Sequence, residues 1–334
     1  MNPVQAAEAF ATPGRPLRAS RLGEGTGHIH QTFRVDCENG ALVLQRLNET
    51  VFPDLDAVMA NFTAVTGHLR AKRLGAVLEA VPARAGGLLH RNAEGAWRCT
   101  RFIEGGRMPL EPATMGDAHA AAFALGRFAA LLADLPIASL REPLPGFHDT
   151  RARFEAFRAV ADRSEPSAFA FTRESLADAL PAMGLPLRPV HNDTKLANVL
   201  LDATSGEGLC VMDLDTVMPG LVAHDFGDLV RSAAFDGGEA DDAIRLDLDR
   251  LEALAKGYLA GVGDALTAGE RASLGLGARV IAYELGLRFL TDHLSGDRYF
   301  AVTHRGQNLA RAHAQFARLR ALEAQADQVD AIIG

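Results

Sequence analysis

A chain of 334 residues with a formal net charge of −8, 48% hydrophobic and 23% charged residues is long enough for two lobes and rich enough for a sizeable core. The acidic balance argues against nucleic acid or an anionic membrane surface as the main partner. Cys37, Cys99 and Cys210 stand far apart with no CxxC pair, which predicts neither a zinc site nor a disulfide framework and fits a reducing, cytoplasmic setting. The N-terminus lacks a basic-then-apolar leader pattern, and no run approaches the ~20 apolar residues that would span a bilayer.

Residues 15–47 read as β structure: Phe33 and Val35 alternate with Arg34 and Asp36, Asn39-Gly40 supplies a hairpin signal, and Ala41 to Leu47 follow as another strand. Leu55, Val58, Met59, Phe62, Val65 and Leu69 recur at helical spacing after Pro53-Asp54 and predict a helix over 55–71. Strand-like segments at 77–89 and 97–103 end where Glu104-Gly105-Gly106 breaks the pattern. From about Pro112 the chain turns helical, with Phe123, Leu125, Phe128, Leu131 and Leu132 as one apolar stripe. Pro143–Gly146 and Ser164–Ser167 read as loops, and the second half is helical apart from one hairpin. A β-rich first third before a helix-rich remainder predicts an α+β fold of two lobes, 1–105 and 106–334.

The densest polar constellation is His191-Asn192-Asp193-Thr194-Lys195-Leu196-Ala197-Asn198, followed by the apolar run Val199–Leu201 and, after a glycine-containing turn, Leu209–Asp215. Two short apolar runs around a turn make a β-hairpin, whose strands lie about 4.8 Å apart. Asn198 entering and Asp213 leaving therefore become neighbours, a pair of oxygen ligands suited to Mg²⁺. Asp193 sits in the loop feeding that end, placed to accept a proton from an attacking hydroxyl. If the backbone stays extended past Asp213, Asp215 points to the same side. Each of these residues alone reads as a turn former or cap; their gathering at one hairpin end favours chemistry. Lys72, Lys195 and Lys256 are the only lysines, so the placement of Lys195 two residues after Asp193 stands out against an arginine-rich background.

This octad is similar to the HxDxxxxN catalytic loop of aminoglycoside and choline phosphotransferases, which have the protein-kinase-like fold. By that resemblance Asp193 is the catalytic base, Lys195 neutralises the transferring phosphoryl group, and Asn198 and Asp213 hold Mg²⁺. Asp225-Phe226-Gly227 spells the metal motif of protein kinases, but it does not close the hairpin. Asp225 and Asp228 are instead expected to brace the catalytic loop from a following helix.

Gly23-Glu24-Gly25-Thr26-Gly27-His28 is followed by strand residues rather than the helix of a dinucleotide fingerprint, and no lysine lies nearby to make a P-loop. It reads as a glycine loop covering ATP, with a plain turn as the bland alternative. The next strand, Leu42–Leu47, has no phosphate-binding lysine, and the helix offers no glutamate partner, Asn61 being its inward polar residue. Gln45 is expected to stand in as a neutral phosphate-side contact. Gly23, Gly25, Gly27, Gln45 and Glu104 are the expected nucleotide-side residues.

Further stretches narrow the resemblance: Val43–Asn48, Met212–Gly220, Asp225–Asp228 and Arg288–Asp292 with Tyr299-Phe300 all look like N-acetylhexosamine 1-kinases. The resemblance runs over about residues 20–315, with His30 standing where Asn is expected. It implies phosphorylation of the anomeric C1 hydroxyl of GlcNAc or GalNAc, with His28, Asp215, Arg288 and Tyr299 in the sugar pocket. The expected partner is a small-molecule sugar, with no nucleic acid or membrane, and the chain is expected to act as a monomer. Rival readings are another acceptor on the same fold (an aminoglycoside, choline or homoserine) and a nucleotide-binding pseudokinase without transfer activity.

Overall fold

The computed structural model describes residues 2–23, 29–72, 76–109, 113–241 and 243–334. Gly25, Gly27 and His28 lie outside the described residues, so the expectations attached to them concern the sequence alone.

After a short helix α1 (Pro3–Ala7), five strands form one antiparallel sheet: β1 (Pro16–Arg21), β2 (Gln31–Cys37), β3 (Gly40–Arg46), β4 (Leu89–Asn92) and β5 (Gly95–Arg101). Their spatial order is β1-β2-β3-β5-β4. Alternation sends Val35, Leu42, Leu44, Trp97 and Cys99 into a core shared with Phe10. Gln45 and Arg98, directly paired across β3 and β5, share the opposite face. The β2–β3 turn falls one residue earlier than the Asn39-Gly40 signal suggests. Glu38 and Asn39 carry it, and Gly40, at φ +139°, already pairs with Cys37.

Helix α2 (Leu55–Ala71) starts where Asp54 caps the Ala57 amide at 2.8 Å. Its apolar stripe, Met59, Phe62, Val65 and Leu69, packs with Phe128, Leu132, Leu214 and Val217, and so ties α2 to the second half of the chain. Each such side chain contributes roughly 1.5–3 kcal/mol on full burial. Residues 77–88 differ from expectation: they run beside β5, with Val81 N–H donating to the Cys99 carbonyl at 2.8 Å, but form only two isolated bridges, Ala80 to Thr100 and Ala83 to Phe10.

Strand β6 (Gly106–Arg107) leaves the first sheet and pairs with the central hairpin, β8 (Val199–Asp202) and β9 (Gly208–Val211). A Cβ on Gly106 would come within 2.2 Å of Leu200, so only glycine lets the crossing segment lie this close to the hairpin. The helical part comprises α3 (Met115–Leu132), α4 (Thr150–Val160), α5 (Glu165–Phe171), α6 (Leu176–Ala179), α7 (Val222–Ala233), α8 (Leu248–Val262), α9 (Ala268–Leu294), α10 (Gln307–Ala324) and α11 (Ala326–Ile333). In α3 the stripe is narrower than expected, since Leu125, Phe128 and Leu132 are buried while Phe123 is exposed. Ser164–Ser167, expected as a loop, instead opens a helix: Ser164 precedes α5, and Glu165, Pro166 and Ser167 form its first turn. Besides the hairpin, β7 (Arg188–Val190) pairs with β10 (Met218–Gly220), and β11 (Phe235–Asp236) pairs with β12 (Arg245–Leu246). The chain is thus α+β, an antiparallel sheet followed by a helical part built around one hairpin.

Candidate active site

Strand β7 delivers the chain into residues 191–198, and the loop is held on every side. The Asp225 carboxylate, at the start of α7, accepts from the His191 N–H at 2.8 Å and the Asn192 N–H at 2.7 Å. Thr194 donates to the Asp225 carbonyl. The Thr216 hydroxyl donates to the His191 carbonyl at 2.7 Å, and the Asn192 amide donates to the Thr216 carbonyl at 3.0 Å. Asn192 itself is left-handed, at φ +63°, a conformation that asparagine tolerates better than most residues. The Asp225-Phe226-Gly227 string therefore lies within α7, with Asp225 bracing the loop. Gly227 sits at the helix crossing, where a Cβ would meet the Gly277 carbonyl of α9 at 2.4 Å. Asp228 does not brace the loop; it pairs with Arg231 at 2.7 Å.

This scaffold presents Asp193. Lys195 Nζ lies 2.9 Å from Asp193 Oδ2, and Asn198 Nδ2 donates to the same oxygen at 3.0 Å and to the Asp193 carbonyl at 2.7 Å. The donors converge on Oδ2 and leave Oδ1 to face an incoming group. Burial pushes the Asp193 carboxyl up, but the Lys195 ammonium beside it outweighs that and holds it below the usual range, so it is a carboxylate at neutral pH. Burial works against the charge on Lys195 as well, and Asp193 and Asp213 together raise its pKa.

Met212 N–H donates to the Asn198 carbonyl at 2.8 Å, which brings the entry of β8 beside the exit of β9. Val199 pairs with Val211, so the register carries Asn198 opposite Met212, and Asp213 is the next residue along that strand's exit. Past that point the backbone departs from expectation. Asp213 is left-handed, at φ +55°, and opens a tight 3₁₀ turn over Leu214–Thr216. Burial, together with the nearby Asp215 and Asp193 carboxylates, pushes the Asp213 carboxyl up.

Because the strand does not continue, Asp215 is carried elsewhere. Both of its oxygens are taken by the fork of Arg98, with Nη2 2.8 Å from Oδ2, and His30 Nε2 lies 2.7 Å from Oδ2. Side-chain exposure is 4% for Arg98 and 2% for Asp215. Burial opposes the charge, yet Arg98 and His30 hold Asp215 well below the usual carboxylate range. Gln45 is spent on the same cluster: its carbonyl oxygen accepts from Arg98 Nε at 2.8 Å and its amide donates to the Thr32 hydroxyl at 3.2 Å. Asn61, the other polar candidate near the missing lysine, ties α2 to the Arg141 and Val217 carbonyls at 2.9 and 2.8 Å. The buried cation of this face therefore stands on β5 instead of β3. His30 accepts from the Asn48 N–H at 3.0 Å and donates to Asp215.

Arg288 and Tyr299 are brought together, apart from Asp215. The Arg288 guanidinium carbon lies 5.2 Å from the Phe147 ring, 5.5 Å from Phe300 and 6.0 Å from Tyr299, a cation among three aromatic faces. Asp292 ties down the segment carrying these rings by accepting from the Arg298, Tyr299 and Phe300 amides at 2.8–2.9 Å. Tyr299 keeps 64% of its surface exposed. Glu104 points outward, 70% exposed and 3.7 Å from Arg34. Gly23, at φ +73°, precedes the segment outside the described residues.

Sequence reasoning missed Arg98, His148 and Glu284, and marked His30 only as standing where Asn is expected, without its partnership with Asp215. Arg98 carried a signal: it is the charge within Ala96–Thr100, a run buried on both strand faces. Lone charges in such runs point at a partner.

The family described as the phosphotransferase enzyme family matches the chain over residues 24–264. Among solved structures the chain is similar to a microcompartment-associated aminopropanol kinase (19% identity, TM-score 0.67, 98% of this chain and 97% of that one). It is also similar to a choline/ethanolamine kinase family protein from Mesorhizobium loti (18% identity, TM-score 0.65, 98% and 97% covered). A spectinomycin phosphotransferase in complex with ADP and spectinomycin matches at 13% identity and TM-score 0.58, over 99% and 96% of the two chains. At these identities the structures speak for the fold.

Proposed function

The chain belongs to the phosphotransferase enzyme family, and from that membership we propose that it is an ATP- and Mg²⁺-dependent kinase that phosphorylates the anomeric C1 hydroxyl of an N-acetylhexosamine, GlcNAc or GalNAc. Asp193, ionised beside Lys195 and with Oδ1 open, takes the proton of the attacking hydroxyl. A hemiacetal hydroxyl is more acidic than an ordinary alcohol, so this base needs no raised pKa. Lys195 is positioned to offset charge on the moving phosphoryl group. The Asn198 amide nitrogen is committed to Asp193, which leaves its carbonyl oxygen as the end able to bind a cation. Asp213, a buried carboxyl pushed up by neighbouring carboxylates, gains from a cation at the same place. Asn198 and Asp213, as two oxygen donors, would suit Mg²⁺, which when bound would supply charge neutralisation to phosphoryl transfer.

The acceptor reading rests on one observation: Arg288 lies among the Phe147, Tyr299 and Phe300 rings. Rings for a sugar face beside a fork of donors for hydroxyl and acetamido oxygens suit a neutral sugar. The same arrangement speaks against a cationic acceptor such as an amino alcohol or aminoglycoside, because the Arg288 guanidinium beside the rings repels a second positive charge. His30 in place of Asn and the commitment of Asp215 to Arg98 mean that Asp215 would meet a sugar only by sharing its oxygens with them.

The test is ADP formation with ATP and Mg²⁺ across GlcNAc, GalNAc, glucose, choline, 1-amino-2-propanol, homoserine and spectinomycin. Turnover with an N-acetylhexosamine and phosphate on C1 by NMR is expected. Turnover with choline, the amino alcohol or spectinomycin alone would overturn the acceptor assignment, and nucleotide binding without any turnover would favour a pseudokinase.

A further inference from the structure

The segment preceding α4 carries a histidine that transfer chemistry does not itself call for. His148 Nδ1 lies 2.9 Å from Glu284 Oε1 on α9, and Nε2 lies 3.1 Å from the Asn192 carbonyl oxygen. Both partners only accept. A neutral imidazole owns one N–H, so it can satisfy one of them and must turn a lone pair on the other; the imidazolium satisfies both. The second Glu284 oxygen accepts from the Thr150 hydroxyl at 2.6 Å, which fixes the carboxylate. The charged and titratable groups around the ring are Glu284 and Arg288 from α9 and His224 and Asp225 from α7. The His224 ring lies 4.7 Å away, and burial, with His148 beside it, keeps it neutral, its pKa pulled down to about 3.

The carbonyl that His148 grips belongs to the peptide joining Asn192 to Asp193. The other polar groups of Asn192 are already placed: its N–H on Asp225 and its side-chain amide on the Thr216 carbonyl. A left-handed residue costs on the order of 1 kcal/mol or more, so it persists only where its surroundings over-determine it. We propose that His148 is a positioning residue for phosphoryl transfer, an imidazolium clamped between Glu284 and the Asn192 carbonyl that fixes the peptide carrying Asp193. The inference rests on Asp193 being the base.

Burial opposes the charge on His148, but Glu284 outweighs it, and the ring titrates above its ordinary 6.5. Below the ordinary value the clamp is fully formed; it is lost as pH rises through the raised one. The remaining proton then stays with the carboxylate, and Nε2 presents a lone pair to the Asn192 oxygen, pushing the loop away. The clamp also borders the aromatic wall, since Phe147 precedes His148 and Arg288 stands one helical turn from Glu284.

Two readouts decide the matter. In the first, histidine-ring NMR of the full chain, without nucleotide or acceptor, follows His148 through pH, its signal assigned by its loss in His148→Gln. It is expected to titrate above 6.5 and to move down in Glu284→Gln. A ring titrating at or below the ordinary value, or unmoved by Glu284→Gln, overturns the clamp whatever the acceptor proves to be. In the second, ADP formation from ATP and N-acetylglucosamine is followed from about pH 6 to about pH 9. Wild-type kcat is expected to fall on the alkaline side, at lower pH in Glu284→Gln. His148→Gln should lower kcat by about tenfold to a hundredfold with the KM for ATP unchanged and no such alkaline limb. An alkaline limb identical in all three proteins overturns the positioning role. Should His148→Gln fail to fold, the ring signal is assigned instead by through-bond correlation to the His148 backbone, and Glu284→Gln still decides both readouts. If no acceptor turns over, the NMR arm still tests the clamp. Full activity in Asp193→Asn would overturn the base reading instead.

Discussion

Arg98 and Asp215 lie 117 residues apart in sequence and meet as a buried fork, joining the sheet to the turn that leaves the catalytic hairpin. Removing one partner strands the other charge in the interior. Arg98→Met is expected to destabilise the protein by roughly 3–5 kcal/mol, and Arg98→Met with Asp215→Leu to recover most of that loss. Urea unfolding of the four proteins of the cycle checks it; additive single effects would show that the pair is not coupled.

Gln45 aims Arg98 through one hydrogen bond at 2.8 Å. Gln45→Ala is therefore expected to cost about 1 kcal/mol of stability. A rise in the KM for ATP with unfolding midpoint unchanged would return Gln45 to the phosphates.

Asp193→Asn keeps the fold and should abolish turnover while nucleotide binding, read by calorimetry, stays near wild type. Lys195→Met removes the cation 2.9 Å from Asp193 and should lower kcat by roughly a hundredfold. Arg288→Ala should raise the acceptor KM with the KM for ATP unchanged; an equal effect on both substrates would argue that the arginine only packs.

Gly227 belongs to a helix crossing. Gly227→Ala would place a methyl 2.4 Å from the Gly277 carbonyl and should cost about 1–3 kcal/mol, seen as a lower Tm. Unchanged stability with lost turnover would instead mark a part in the chemistry.

Acid stability should report two buried groups of opposite charge type. Glu284 is held down to about 2 by His148 against the cost of burial, so its contribution is present above its ordinary 4.5 and is lost as pH falls toward 2. His224, pulled down to about 3, stays neutral when folded but binds a proton unfolded. It therefore destabilises the fold as pH drops from 6.5 toward 3. His224→Phe should flatten that limb by a few kcal/mol at most, and Glu284→Gln should flatten the lower one. Identical stability-versus-pH curves would refute both assignments.

The hairpin end was legible in the sequence because it is local. Two apolar runs around a turn fix a register, which sets Asn198 opposite Met212 with Asp213 next in sequence, and the Asn198 amide holds Asp193 at the same end. Helix α2 was legible for the same reason, its cap and its 3.6-residue stripe being written within one segment. The bracing by Asp225 followed from the motif's failure to close the hairpin, whereas the partner of Asp228 lay within its own helix.

The neighbours of Asp215 were decided elsewhere. Its path depended on one dihedral, the left-handed φ of Asp213, and an extended backbone was the natural sequence expectation. Once that residue turns, Asp215 is carried to Arg98 on β5 and to His30 just before β2. Long-range pairing of charges depends on how sheet and hairpin pack, and no period in the sequence records it. The His148 clamp is of the same kind: a loop residue, a helix residue and a carbonyl, each unremarkable alone, become an ion pair on the catalytic loop only when α9 packs against it. The sequence by itself determined which groups stand at the hairpin end. The tertiary structure decided which charges those groups share, because register is a local property and electrostatic partnership is not.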